Sequence, residues 1–201
     1  MKERRFILDR AHWPDHPELK IRETGLSSLV PVPTSFVPRP SSLVLYSGGM
    51  SLTDANLTPM IHPAQNRCFG CGAANPIGLQ LEFFIAPDGS IHAEKTVGDS
   101  YEGPPGLVHG GMIATLLDEV MSKTVRALGI RAVTRKMEVE YLKPVHSQTL
   151  VRLVATLVKK DGRKHWTEGR LLDAAGTILA QGTALFIEIR EQSGNGVSEP
   201  R

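Results

Sequence analysis

The sequence is poor in cysteine, in net charge and in long apolar runs, and each shortage excludes something. Its two cysteines, Cys68 and Cys71, cannot staple a fold with a disulfide framework, and they suit a reducing compartment. Lys and Arg total 23 against 21 for Asp and Glu, a net charge of +2, so there is no electrostatic footprint for nucleic acid or an anionic membrane. No apolar run approaches the ~20 residues that span a bilayer. The start, Met1-Lys2-Glu3-Arg4-Arg5-Phe6, runs into Asp9, His12 and Asp15 rather than an apolar segment, which argues against a secretory signal. These absences predict a soluble, cytoplasmic protein with neither nucleic acid nor membrane as partner.

What is present divides at proline. Of 14 prolines, eight stand within residues 1–63, a stretch with little periodicity and with turn signals such as Ser47-Gly48-Gly49. Residues 1–65 therefore read as a Pro-rich extension with at most a short helix. It either lies over the domain or a partner subunit, or forms a partly disordered tail. Residues 66–190 read as one domain, and 191–201 as a polar, disordered tail.

Within the domain, residues 78–86 have the pattern of a strand, Pro87-Asp88-Gly89 of a tight turn, and 90–97 of the return strand. A Gly- and Pro-rich loop leads to one long helical stretch, about 109–128, with Gly129 as its C-cap. Strand-like runs follow at 131–142, 149–160, 164–173 and 177–189, separated by Pro144, Asp161-Gly162 and Ala174-Ala175-Gly176. This order implies an α+β fold, one antiparallel sheet packed on one helix.

The helix has an unusual face. Ile113, Leu116, Leu117, Val120, Met121, Thr124, Val125 and Leu128 recur at helical spacing over more than one stripe, which predicts burial on most sides. Gly111, Thr115, Asp118 and Ser122 fall on nearly one line. An acid thus stands mid-helix among small and hydroxylic neighbours. The adjoining Glu119 points about 100° away and suits a solvated position. A carboxylate in a half-apolar groove serves as a nucleophile or as a base for water. At the helix start, Gly110 and Gly111 have no side chains to block approach, and the first-turn N–H groups lack intrahelical partners. With the helix dipole, they are candidate donors for an oxyanion hole; the plain alternative is a sharp turn into the helix.

With these residues in view, the sequence resembles the hot-dog-fold acyl-CoA thioesterases, of the phenylacetyl-CoA thioesterase type. The likeness lies in Gly106-Leu107-Val108-His109-Gly110-Gly111-Met112-Ile113-Ala114-Thr115-Leu116-Leu117-Asp118-Glu119, and continues from Val133-Thr134-Arg135-Lys136-Met137 to Tyr141-Leu142-Lys143-Pro144. It covers about residues 66–190. The resemblance implies a helix wrapped by a curved sheet, and a homodimer or a tetramer of such dimers with active sites between subunits. It implies hydrolysis of an acyl-CoA to a carboxylic acid and free CoA. Asp118 matches the acid used as nucleophile or general base. Gly111 matches the residue whose N–H polarises the thioester carbonyl, with Gly110 beside it. His109 matches the histidine that shapes the loop, and Thr134 a position where relatives carry a Ser or Thr that orients water. Where several relatives have Asn or Gln before His-Gly-Gly, this chain has Glu102 in Tyr101-Glu102-Gly103-Pro104-Pro105-Gly106, so that role falls to Glu102 or to no residue.

Other features compete. Cys68-Phe69-Gly70-Cys71-Gly72 invites a zinc reading, but two cysteines leave a four-ligand structural site incomplete unless His62 or a second subunit contributes. Redox chemistry lacks the expected βαβ context. The expectation is therefore no metal and no cofactor, coenzyme A being part of the substrate. His62, His92, His146 and His165 are scattered and read as surface or turn residues. Lys159, Lys160, Arg163 and Lys164 flank a hairpin turn; Arg163 and Lys164 are candidates for the CoA phosphates, with Arg135, Lys136 and Lys143 competing. Trp166 and Phe186 read as strand packing or acyl-pocket lining. Two rival functions stay open: a non-catalytic acyl-CoA sensor, and a hot-dog hydratase or dehydratase.

Overall fold

A computed structural model describes residues 56–189. The expectations for the chain before and after this span lie outside the described residues. Two-residue strands β1 (Thr58–Pro59) and β2 (Phe84–Ile85) precede β3 (Ile91–Thr96). After the single helix α1 (Gly110–Arg126) come β4 (Ala132–Tyr141), β5 (Leu150–Asp161), β6 (Lys164–Asp173) and β7 (Ile178–Glu188). They form one antiparallel sheet in the order β1-β2-β3-β5-β6-β7-β4. The helix packs on its concave face, touching β3 to β7. This is the hot-dog arrangement implied by the resemblance. Among the described residues, no helix is long and apolar enough to cross a membrane.

The sheet side chains alternate as the pleat requires. On β6, His165, Thr167, Gly169 and Leu171 are buried while Trp166, Glu168 and Arg170 between them are half-buried. Seven of the eight periodic residues on the helix are buried; Leu128 lies beyond the helix end, 53% exposed. Each buried Leu, Ile, Val or Met side chain contributes about 1.5–3 kcal/mol, which outweighs the roughly 1 kcal/mol that each N-terminal glycine costs in helix propensity. The helix lies so close to the sheet that a Cβ on Gly169 would stand 2.8 Å from Met121 Cγ. The C-cap is Ala127 rather than the expected Gly129, which turns the chain two residues later at φ +76°.

Three local readings change. The expected strand at 78–86 is paired as a strand only at Phe84–Ile85. Gln80 adopts a positive φ, and the N–H groups of Leu79 and Leu81 donate to Phe69 and Gly70 in the cysteine loop. Leu79, Leu81 and Phe83 still alternate into the core. Pairing also begins earlier than the boundary at 66: Thr58 and Pro59 pair with β2, and Met60 N–H donates to Phe83. Finally, His165 and His92 are buried rather than surface residues: His165 falls on an inward position of β6, whereas His92 stands on the opposite face from Ile91 and Ala93, with its ring 2.7 Å from Ser90 Oγ. Phe186 is buried, whereas Trp166 is half-buried on the outer face with Lys159 Nζ 5.1 Å from its ring.

Candidate active site

The loop before the helix is held on both sides. His109 N–H donates to Tyr101, Gly103 N–H to Leu107, and Val108 N–H to Val145. Glu102 belongs to this scaffold. Ser147 donates its hydroxyl to the Glu102 carboxylate, and that bond, with the Gly106 backbone, holds the carboxyl below its usual range.

His109 is the N-cap of α1. Its Nδ1 accepts from Gly111 N–H at 2.9 Å, and its carbonyl accepts from Met112 and Ile113. The Gly111 donor assigned to a thioester oxygen is therefore satisfied by the imidazole. His109 is exposed, so an incoming carbonyl can replace it without disturbing the core. Tyr141, present in the quoted motif but given no role there, braces this turn: its hydroxyl donates to Gly110 O at 3.1 Å. Thr115 donates its hydroxyl to Gly111 O, so it turns into the helix rather than toward Asp118.

Asp118 lies two turns into the helix and is half-buried. Burial raises its carboxyl above the usual range, while a hydrogen bond from Thr134 Oγ1, 2.8 Å from Oδ1, opposes the rise. Strand phase alone would not have brought Thr134 here. Met137 and Val139 pack toward the core, and strict alternation would turn Val133 inward with them. A bulge between Thr134 and Lys136 inserts Arg135 as an extra residue and resets the phase, so that Ala132 and Thr134 face the helix and Val133 is 52% exposed.

The basic candidates separate. Arg135 is exposed at the bulge, and Lys136 pairs with Glu138 at 2.6 Å. Arg163 spends two nitrogens on Glu188 O, at 2.6 and 3.1 Å. Lys164 is exposed and stands two strands from Val133 through Ile187, about 10 Å by strand spacing. Arg135 and Lys164 thus share one end of the sheet.

Glu119 departs most from expectation. Its side chain is 14% exposed and pairs through Oε2 with Lys123 at 2.8 Å, while Oε1 accepts from Cys68 Sγ at 3.2 Å. Burial alone would lower the Lys123 ammonium; Glu119 reverses this and raises it. Nothing in the helical periodicity signalled this cluster, because its other half comes from a loop some fifty residues upstream.

Comparison with known proteins agrees with this geometry. The thioesterase superfamily profile matches residues 105–180. The acyl-coenzyme A thioesterase THEM4 of Xenopus laevis is 32% identical over 93 residues, 46% of this chain and 42% of that protein. The chain spans about half or less of the length of the curated relatives it matches first. Among solved structures, the thioesterase superfamily protein RHA08564 superposes with a TM-score of 0.58 and 30% identity, over 61% of this chain and 60% of that one. The BH2602 protein of Bacillus halodurans, crystallised with CoA, has 32% identity and a TM-score of 0.51 over 57% of this chain and 77% of its own. A hot-dog sheet around one helix, a His-Gly-Gly turn, a mid-helix acid and these likenesses converge: the chain carries a thioesterase-superfamily domain, matched over residues 105–180.

Proposed function

We propose that this protein hydrolyses an acyl-CoA thioester, giving a carboxylate and free CoA, with Asp118 as nucleophile or general base. The observation that carries this reading is the Asp118–Thr134 pair: a half-buried carboxylate with Oδ1 held by a hydroxyl. Since Thr134 donates its only hydroxyl proton, Oδ2 is left for the reaction and the Thr134 oxygen is left to accept from a water. The thioester carbonyl would take the Gly111 N–H in place of His109, with Gly110 presenting no side chain against it, at the positive end of the helix. Water, or Asp118 itself, adds to the carbonyl carbon; the C–S bond breaks and the sulfur leaves as thiolate, taking up a proton. The acyl group is open, and the phenylacetyl-CoA type remains part of the proposal. Among the described residues, Arg135 and Lys164, exposed at one end of the sheet, are the favoured cations for the CoA phosphates, ahead of Lys136 and Arg163, which are held by Glu138 and the Glu188 carbonyl.

The same reading includes a homodimer. β4 has one neighbour, β7, and its other edge is free among the described strands. Tyr141 and Leu142 are 53% and 44% exposed there, beside the site. A second copy's β4 would continue the sheet, cover them and close the cleft over Asp118.

The test is free-thiol release from aryl- and fatty-acyl-CoAs. Asp118→Asn should lower kcat by about 10²- to 10⁴-fold with the fold intact. Full turnover in folded Asp118→Asn protein would refute the assignment. Binding of acyl-CoA without hydrolysis by the wild type would favour the sensor reading.

A further inference from the structure

We propose that Cys68, Cys71 and Glu119 form a binding site for a thiophilic divalent cation of the zinc class, which fastens the loop at residues 66–72 to the helix that carries Asp118. The Sγ atoms of the two cysteines and a carboxylate oxygen of Glu119 lie within 4.8 Å of one another. Zinc with sulfur ligands at about 2.3 Å and oxygen at about 2.1 Å holds tetrahedral donors about 3.5–3.8 Å apart, so the cluster needs to contract by about 1 Å at most. Two thiolates and a carboxylate are a donor set that selects zinc over magnesium or calcium. The sequence alone left such a site two ligands short; the tertiary fold supplies the third.

The surroundings are built for this. Lys123 engages Oε2 only, which leaves Oε1 on the thiol side beside Cys68. That division is how an outer partner orients a ligating carboxylate. Asn66 grips both cysteines: Nδ2 donates to Cys71 Sγ at 3.4 Å, and Oδ1 accepts from Cys68 N–H at 3.0 Å. Backbone bonds from Gly72 to Cys68, Leu79 to Phe69 and Leu81 to Gly70 fix the loop. Gly70 packs so tightly on Glu119 that any Cβ would collide with its carboxylate arm. Charge also balances: two thiols release two protons, and two thiolates, the carboxylate and the Lys123 ammonium together neutralise one dication. For the fourth position we assign His62, which stands outside that 4.8 Å group and has to swing inward to reach the ion. Its Nε2 is buried without a hydrogen-bond partner, and its ring meets Phe83 edge-on at 6.4 Å, the ring that also carries Lys123 Nζ at 5.1 Å.

The experiment is titration of the tag-free, reduced full chain with Co²⁺, followed by displacement with Zn²⁺. A sulfur-to-cobalt charge-transfer band that saturates at one equivalent and is bleached by zinc is the expected result. Cys68→Ser should remove the band, and Glu119→Gln and His62→Ala should each weaken zinc binding about 10- to 100-fold in competition with a chromogenic chelator. No band in the wild type, which requires no variant to fold, overturns the proposal. So does an unchanged band in Cys68→Ser, or reduced thiols that oxidise to a Cys68–Cys71 disulfide in the presence of equimolar zinc. Unchanged zinc affinity in His62→Ala overturns the assignment of the fourth ligand.

Discussion

At the scale of single residues, the Asp118–Thr134 pair makes a prediction about pH. In the proposed mechanism the reactive form of Asp118 is ionised, so activity should fall as pH drops through its pKa, which burial places above the usual carboxylate range. The Thr134 hydroxyl stabilises the ionised form, so Thr134→Val should move the acid limb of kcat/KM to higher pH. It should also lower kcat about tenfold, the worth of one hydrogen bond of about 1.4 kcal/mol, and Thr134→Ser should restore both. An acid limb unmoved in Thr134→Val would remove Thr134 from the site. The observed cap role of His109 can be separated from the catalytic role proposed for it. His109→Ala loses the cap and should cost about 0.5–2 kcal/mol in urea denaturation, whereas His109→Ser keeps it. Any loss of kcat shared by both variants then belongs to the imidazole.

At the scale of elements, the helix–sheet contact is set by one missing methyl. Gly169→Ala places a carbon 2.8 Å from Met121 Cγ and should destabilise the fold by about 1–3 kcal/mol. Adding Met121→Ala should give less than the sum of the two single losses, since each relieves the other; additive midpoints in a double-mutant cycle would show that the contact is loose. The Glu119–Lys123 pair, four residues apart on the helix, is a second element-scale device: it holds the carboxylate on which Cys68 of the loop docks. Lys123→Met leaves a buried carboxylate without its cation and should cost about 3–5 kcal/mol, read as a lowered urea midpoint.

At the scale of the whole molecule, the free edge of β4 carries the prediction. Sedimentation should give twice the chain mass, and Val133→Lys, which puts a charge beside that edge, should yield monomers with reduced turnover. A fully active monomer would show that the cleft needs no partner strand.

The sequence by itself determined the element order, because periodicity and turn residues are local physics: the helix, Gly110–Arg126, falls inside the stretch 109–128 that its pattern required, and Gly129 turns the chain just beyond it. It also singled out His109, Gly110, Gly111, Asp118 and Thr134, through spacing and resemblance. Only the tertiary structure decided which of them meet. Thr134 reaches Asp118 because a bulge at Arg135 changes strand phase, and bulges arise from pairing with a distant strand rather than from the residues they interrupt. Likewise Glu119, solvated by its position on a helical wheel, is buried because a loop from residue 68 packs on it. A helical wheel shows where a side chain points; what stands there is settled by residues far away in the chain.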